Sequence, residues 1–181
     1  MSCTDVPGAF LDARLAGAID QQLHWRAAEM RCDGMRRPDG KGLRVTFSGP
    51  THGKQLTLVF GVAHLAEGAT GHAVPVNVTL IREGGRVYAT RGDGNCTLDA
   101  VRQTRLAPDT APSASTAAAP VAAAILAVPP AHRWRIDARG FCLAPARSVG
   151  DGRDAILLST FDFRGQLTWE PDPPLTLLPH R

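Results

Sequence analysis

Apolar side chains recur at every second position through most of this chain, and tight turns interrupt them every few residues. That pattern limits the possible folds more than any other feature, because side chains on an extended strand point alternately to opposite faces. Leu23, Trp25 and Ala27 alternate with His24, Arg26 and Ala28. After the turn Arg37-Pro38-Asp39-Gly40, Leu43, Val45 and Phe47 alternate with Arg44, Thr46 and Ser48. Beyond Gly49-Pro50-Thr51-His52-Gly53 come Leu56, Leu58 and Phe60, then a polar loop with Glu67, Gly68, Thr70 and Gly71. Val74, Val76, Val78 and Leu80 form the cleanest run, and Glu83-Gly84-Gly85-Arg86 turns it back into Val87 to Thr90. Further strands are expected at 96–101, 134–138, 156–163 and 167–169. Short strands joined by Gly, Pro, Asn and Asp turns build antiparallel sheets rather than alternating strand–helix units.

The expected fold is therefore all-β: an antiparallel β-sandwich, or partly open barrel, of about eight or nine short strands with at most one or two short helices. Each tryptophan (Trp25, Trp134, Trp169) shares the phase of apolar neighbours, which points it inward. Residues 1–19 read as an N-terminal arm or short helix, since Phe10, Leu11 and Leu15 lie loosely on one helical face. Residues 20–170 form one sandwich domain, as a 181-residue chain at roughly 150 residues per domain implies. Residues 107–131 read as a mobile insert, low-complexity around Pro108 to Ser115 and Ala-rich from Pro120 to Val128. Residues 171–181 carry four prolines and read as an extended tail.

Twenty Lys and Arg against seventeen Asp and Glu leave a net charge of +3, spread along the chain. Nucleic-acid binding, which leaves a clustered basic footprint, is not expected. Only Lys41 and Lys54 are lysines, and with the abundant Ala, Gly and Pro this reads as the coding bias of a GC-rich bacterium. No apolar run approaches the ~20 residues of a transmembrane segment.

The four cysteines, Cys3, Cys32, Cys96 and Cys142, have no CxxC spacing, which argues against a zinc knuckle or a thioredoxin-like motif. Four cysteines allow three pairings. Cys96 and Cys142 each adjoin a short strand-like run near a glycine, which favours Cys96–Cys142 and leaves Cys3–Cys32. The alternative is four thiols in a cytosolic protein. Two disulfides imply an oxidising compartment, here the periplasm, cell surface or exterior. Ser2-Cys3 also matches the start of a mature bacterial lipoprotein, so a lipid anchor at Cys3 competes with the disulfide.

Motifs for catalysis are sparse. The chain contains no Gly-x-Ser-x-Gly elbow and no glycine-rich phosphate loop. Glu29, Asp137 and Asp162 are the carboxylates best placed for acid–base work such as glycoside hydrolysis, although strand-face carboxylates usually just meet solvent. His52, His64, His72 and Glu67 fall in or beside loops and could converge on zinc or copper if those loops share one end. Asp93-Gly94-Asn95 and Asp151-Gly152-Arg153-Asp154 offer oxygen ligands for calcium, though ordinary turns use the same residues. Arg91-Gly92-Asp93 spells an integrin-type tripeptide that turns also produce by chance.

The expectation is a non-catalytic, exported bacterial β-sandwich that binds a protein or polymer of the cell envelope and needs no cofactor. Loops 62–73, 91–95 and 148–154 are the expected surface, with Arg91, Asp93, Asn95, Asp151 and Asp154 as contacts. A metal-binding protein or metal-dependent enzyme using His64 and His72 is one rival, and an inhibitor of an envelope hydrolase is another.

Overall fold

The computed structural model describes residues 3–91, 94–107, 131–150 and 152–170. A 3-10 turn, Cys3–Asp5, precedes eleven strands: β1 (Phe10–Gly17), β2 (Gln21–Arg26), β3 (Arg31–Arg36), β4 (Gly42–Thr51), β5 (Lys54–Ala63), β6 (Val74–Arg82), β7 (Arg86–Ala89), β8 (Cys96–Arg105), β9 (His132–Cys142), β10 (Ala146–Ser148) and β11 (Ala155–Trp169). All pairings are antiparallel except one contact of β3 with β11. The insert core at 108–130, its Ala-rich stretch and the tail at 171–181 lie outside the described residues.

β3 to β7 pair in succession as one layer, and β2, β1, β11, β9 and β8 pair in that order as the other. The layers are joined where Val74 and Pro75 of β6 meet Leu98 and Thr97 of β8, where β10 bridges β7 and β11, and where Thr168 meets Met35. These joints are short, and the whole is a sandwich-like antiparallel fold, not a closed barrel. Phe47 and Phe60 face Phe161 and Phe163 between the layers, with ring centroids 4.8 to 5.0 Å apart in the closest pairs. Gly165 belongs to this contact: a Cβ there would sit 2.8 Å from the Phe47 ring.

Two bulges change the phase of the outer layer. Arg14 pairs with Thr160 but Leu15 pairs with Leu158, so Ser159 is the extra residue in β11. Leu98 pairs with Gly140 but Ala100 pairs with Arg139, so Asp99 is the extra residue in β8. An inserted residue turns everything after it to the opposite face. Ile156 and Leu158 are therefore buried together with Phe161 and Phe163, and Cys96 and Leu98 together with Val101.

The all-β expectation holds, with several corrections. Residues 10–17 are no arm or helix: Leu11, Ala13 and Leu15 are buried at period two, and β1 lies between β2 and β11. β3 and β10 are additional strands, and β11 runs unbroken through Gly165. Trp25 and Trp169 are buried and Trp134 is half-buried against the core.

Both expected disulfides are present. Cys96 and Cys142 are directly opposed in β8 and β9, with Cα atoms 4.0 Å apart, and Cys3 bonds Cys32 at 5.1 Å. The lipid anchor at Cys3 does not fit, because its sulfur is bonded and the residue is fully buried. Disulfides of this kind persist in oxidising, non-cytoplasmic compartments. No described helix is long and apolar enough to cross a membrane.

Candidate functional site

The outer face of the β2-β1-β11-β9-β8 layer carries rows of opposed charges fixed by register. One row runs His24, Asp12, Asp162, Arg139 and Ala100, and the next runs Arg26, Phe10, Arg164, Asp137 and Arg102. The second row is largely satisfied. Arg164 Nε and Arg135 Nε donate to the two oxygens of Asp137 at 2.5 and 2.9 Å, and Arg26 and Arg164 lie over the Phe10 ring.

In the first row the two aspartates differ. Partial burial acts to raise the Asp12 carboxyl, but hydrogen bonds from Arg26 Nη1 (2.8 Å) and His24 Nδ1 (2.9 Å) outweigh it and hold the pKa below the usual value. Asp162 lies directly opposite. Partial burial, and then the charges of Asp12 and Asp137, push its pKa up against the pull of Arg139 and Arg164. Among the described residues Asp162 makes no hydrogen bond or ion pair, and neither do Arg139 and Arg102.

These three side chains border a groove of about 590 Å³ over β8, β9 and β11, within the size range of small-ligand sites. Ala100 supplies only a methyl between Arg102 and Arg139, and the opposite wall is Thr70 and His72 from the β5–β6 loop. That loop is held at three points. Gly71 exchanges two backbone hydrogen bonds of 2.9 Å with Val101. His72 Nδ1 donates to the carbonyl of the bulged Asp99 at 3.1 Å. The buried Gln103 donates to the carbonyls of Ala66 (2.8 Å) and Ala69 (3.1 Å) and accepts from Trp169 Nε1 at 2.7 Å. Glu67 adds a latch, taking hydrogen bonds from Trp134 Nε1 (2.9 Å) and His132 Nδ1 (2.7 Å). Gly68 beneath it, with φ +71, packs against the Trp134 ring. The wall of the groove is thus preorganised.

The structure distributes the expected site residues differently. His52 and His64 cap opposite ends of β5, whose ten residues span about 33 Å, so they cannot share a metal. Glu67 is engaged by His132 and Trp134, and His72 lies by β8. Among the described residues no group of three or more His, Cys, Asp or Glu is placed to hold a metal ion.

The described oxygen ligands proposed for calcium have other partners. The Asn95 amide bonds the Arg91 carbonyl, and Asp154 pairs with Arg86 at 3.0 Å. Asp93 and Asp151 lie outside the described residues. Loops 62–73 and 91–95 extend from one end of the β6–β7 pair and loop 148–154 from the other, because Thr79 pairs with Ala89 and Arg82 with Arg86 while Val149 bonds Val87. The three do not form one surface.

Of the three carboxylates singled out, Glu29 accepts from Arg26 N to close the β2–β3 turn, whereas Asp137 and Asp162 meet in the groove. Asp12, Arg102 and Arg139 were missed. Alternation places Arg102 and Arg139 on an outer face, but only the register puts them beside Asp162.

Chemically, the groove offers cationic donors at Arg102 and Arg139, an acceptor at Asp162 and a hydroxyl at Thr70. Opposed pKa shifts in Asp12 and Asp162 resemble an acid–base pair. Asp12, however, is already neutralised by two partners, and the hydroxyls of Ser48 and Ser159 bond Thr57 and the Arg14 carbonyl rather than a histidine or carboxylate. Compared with known proteins, the chain matches no family model, no curated protein and no solved structure.

Proposed function

We propose that this chain is an exported binding module of the bacterial cell envelope, which holds an envelope polymer in the β8–β9–β11 groove and catalyses no reaction on it. The supporting observation is the contrast within one charged face: Asp12 and Asp137 are each held by two hydrogen bonds, while Arg102, Arg139 and Asp162 line the groove with no hydrogen bond or ion pair among the described residues. Preorganised, unsatisfied charge on a rigid scaffold favours a ligand that supplies the missing partners. Two disulfides and the clamped β5–β6 loop provide that rigidity outside the cytosol.

The test is cosedimentation of purified protein with isolated envelope fractions. Arg102→Ala with Arg139→Ala is expected to abolish retention, and the bound polymer is expected to be recovered unchanged in length. Equal retention of wild type and double variant would refute the groove as the binding surface, and shortened polymer would refute the non-catalytic reading.

A further inference from the structure

We infer that the groove recognises a uronic-acid unit of an acidic polysaccharide, with its carboxylate between Arg102 and Arg139 and its ring hydroxyls on Asp162 and Thr70. This rests on the binding-module reading above and adds the ligand's chemistry.

Three observations favour such a ring over other occupants. First, at the groove the main-chain groups between β8, β9 and β11 are consumed by their own ladders, and the outer edge of β8 is taken at Val101 by Gly71, so a peptide cannot add as a strand there. Second, the groove itself offers no exposed large apolar anchor of the kind protein interfaces depend on: among the described residues the exposed large apolar side chains are Met35, Ile81, Leu143 and Val149, and none borders it. Third, the groups that make no hydrogen bond or ion pair among the described residues are of complementary kinds. Two guanidiniums can only donate, and their planar forks match a carboxylate. A carboxylate at Asp162 accepts from hydroxyls, and the Thr70 hydroxyl does either. A ligand with one carboxylate and several hydroxyls on a small ring satisfies all of them together.

Asp162 separates specific recognition from bulk attraction. If the basic groups merely attract anions, deleting this negative charge strengthens binding. If Asp162 accepts ring hydroxyls, deleting it weakens binding despite the lost repulsion. Asp162, Arg102 and Arg139 are exposed, so the variants keep the fold, and thermal unfolding checks this.

The experiment is calorimetric titration of the full chain with a defined oligouronate, a neutral oligosaccharide of equal length and polyphosphate. The oligouronate is expected to bind, with the other two at least about ten-fold weaker. Arg102→Ala with Arg139→Ala should weaken oligouronate binding by about ten-fold or more, and Asp162→Ala by about three-fold or more. Absence of oligouronate binding, parity with either competitor, or tighter binding by Asp162→Ala would overturn the assignment. If oligouronate fails while groove-dependent retention on envelope persists, the ligand class is wrong and the module reading stands. If both fail, both fall.

Discussion

Gln103 connects the core to the groove, and replacing it should loosen both. In Gln103→Leu the shape is roughly kept, but Trp169 Nε1 loses its acceptor, and the carbonyls of Ala66 and Ala69 lose their donor. Trp169 is only 6% exposed, so its indole N–H is left without a partner, at about 1–3 kcal/mol. The two carbonyls lie in a loop open to water and recover part of their loss. Together the cost is about 3 kcal/mol, which for a chain of this length lowers Tm by about 6–12 °C. Urea unfolding should show an earlier midpoint with an unchanged slope. Trp169→Phe provides the control: in that background Gln103→Leu should cost about 1–2 kcal/mol less, because the orphaned indole donor is gone. The Val101 and Gly71 amides should also exchange faster as the loop lifts. A loss below about 1 kcal/mol, or no coupling to Trp169, would refute the account of Gln103 as the clamp.

Asp162→Asn should stabilise the protein at neutral pH. The folded-state pKa of Asp162 is raised, so its contribution favours folding only while it is protonated and is lost as pH rises through the folded value. The gain, held to about 0.5 kcal/mol by solvent screening, should disappear below about pH 3.5 in parallel unfolding curves; a gain that persists there would contradict the cause. Cys96→Ser with Cys142→Ser should destabilise by about 4 kcal/mol, the loop-closure entropy for a sequence separation of 46. Intact mass of native protein should fall by four hydrogens relative to the reduced chain, and a full complement of alkylatable thiols would contradict the oxidising compartment.

Most strands were legible because their apolar residues alternate without interruption, as in Leu56, Leu58 and Phe60. β1 was not, because Phe10, Leu11 and Leu15 fit a helical stripe as readily as Leu11, Ala13 and Leu15 fit a strand, and only pairing on both sides decides. β3 reads poorly for a different reason. Its inward positions include Cys32 and Gly34, and Gly34 is required small by the Gln166 backbone, to which a Cβ would come within 2.3 Å. The bulges at Asp99 and Ser159 leave no mark in hydropathy, since each is an ordinary polar residue in a strand. The disulfide partners were legible from the strand-like runs around Cys96 and Cys142. Asp137 and Asp162 could be recognised as strand-face carboxylates. Their convergence with Arg102, Arg139 and His72 depends on register between segments distant in sequence, and on a loop that reads as flexible yet is pinned by Gln103, Gly71 and Glu67.

The order in which the strands are made has a consequence for biogenesis. β11 is the last strand of the described chain and the one on which β1, β3, β9 and β10 all lean. A polypeptide emerging from the ribosome N-terminus first holds β1 and β2 without that support until β3 to β10 have been synthesised. Assembly of the outer layer therefore waits for β11, a set of distant pairings of the kind that form slowly. Until then β1 and β2 lack the strand that locks them against the rest of the layer.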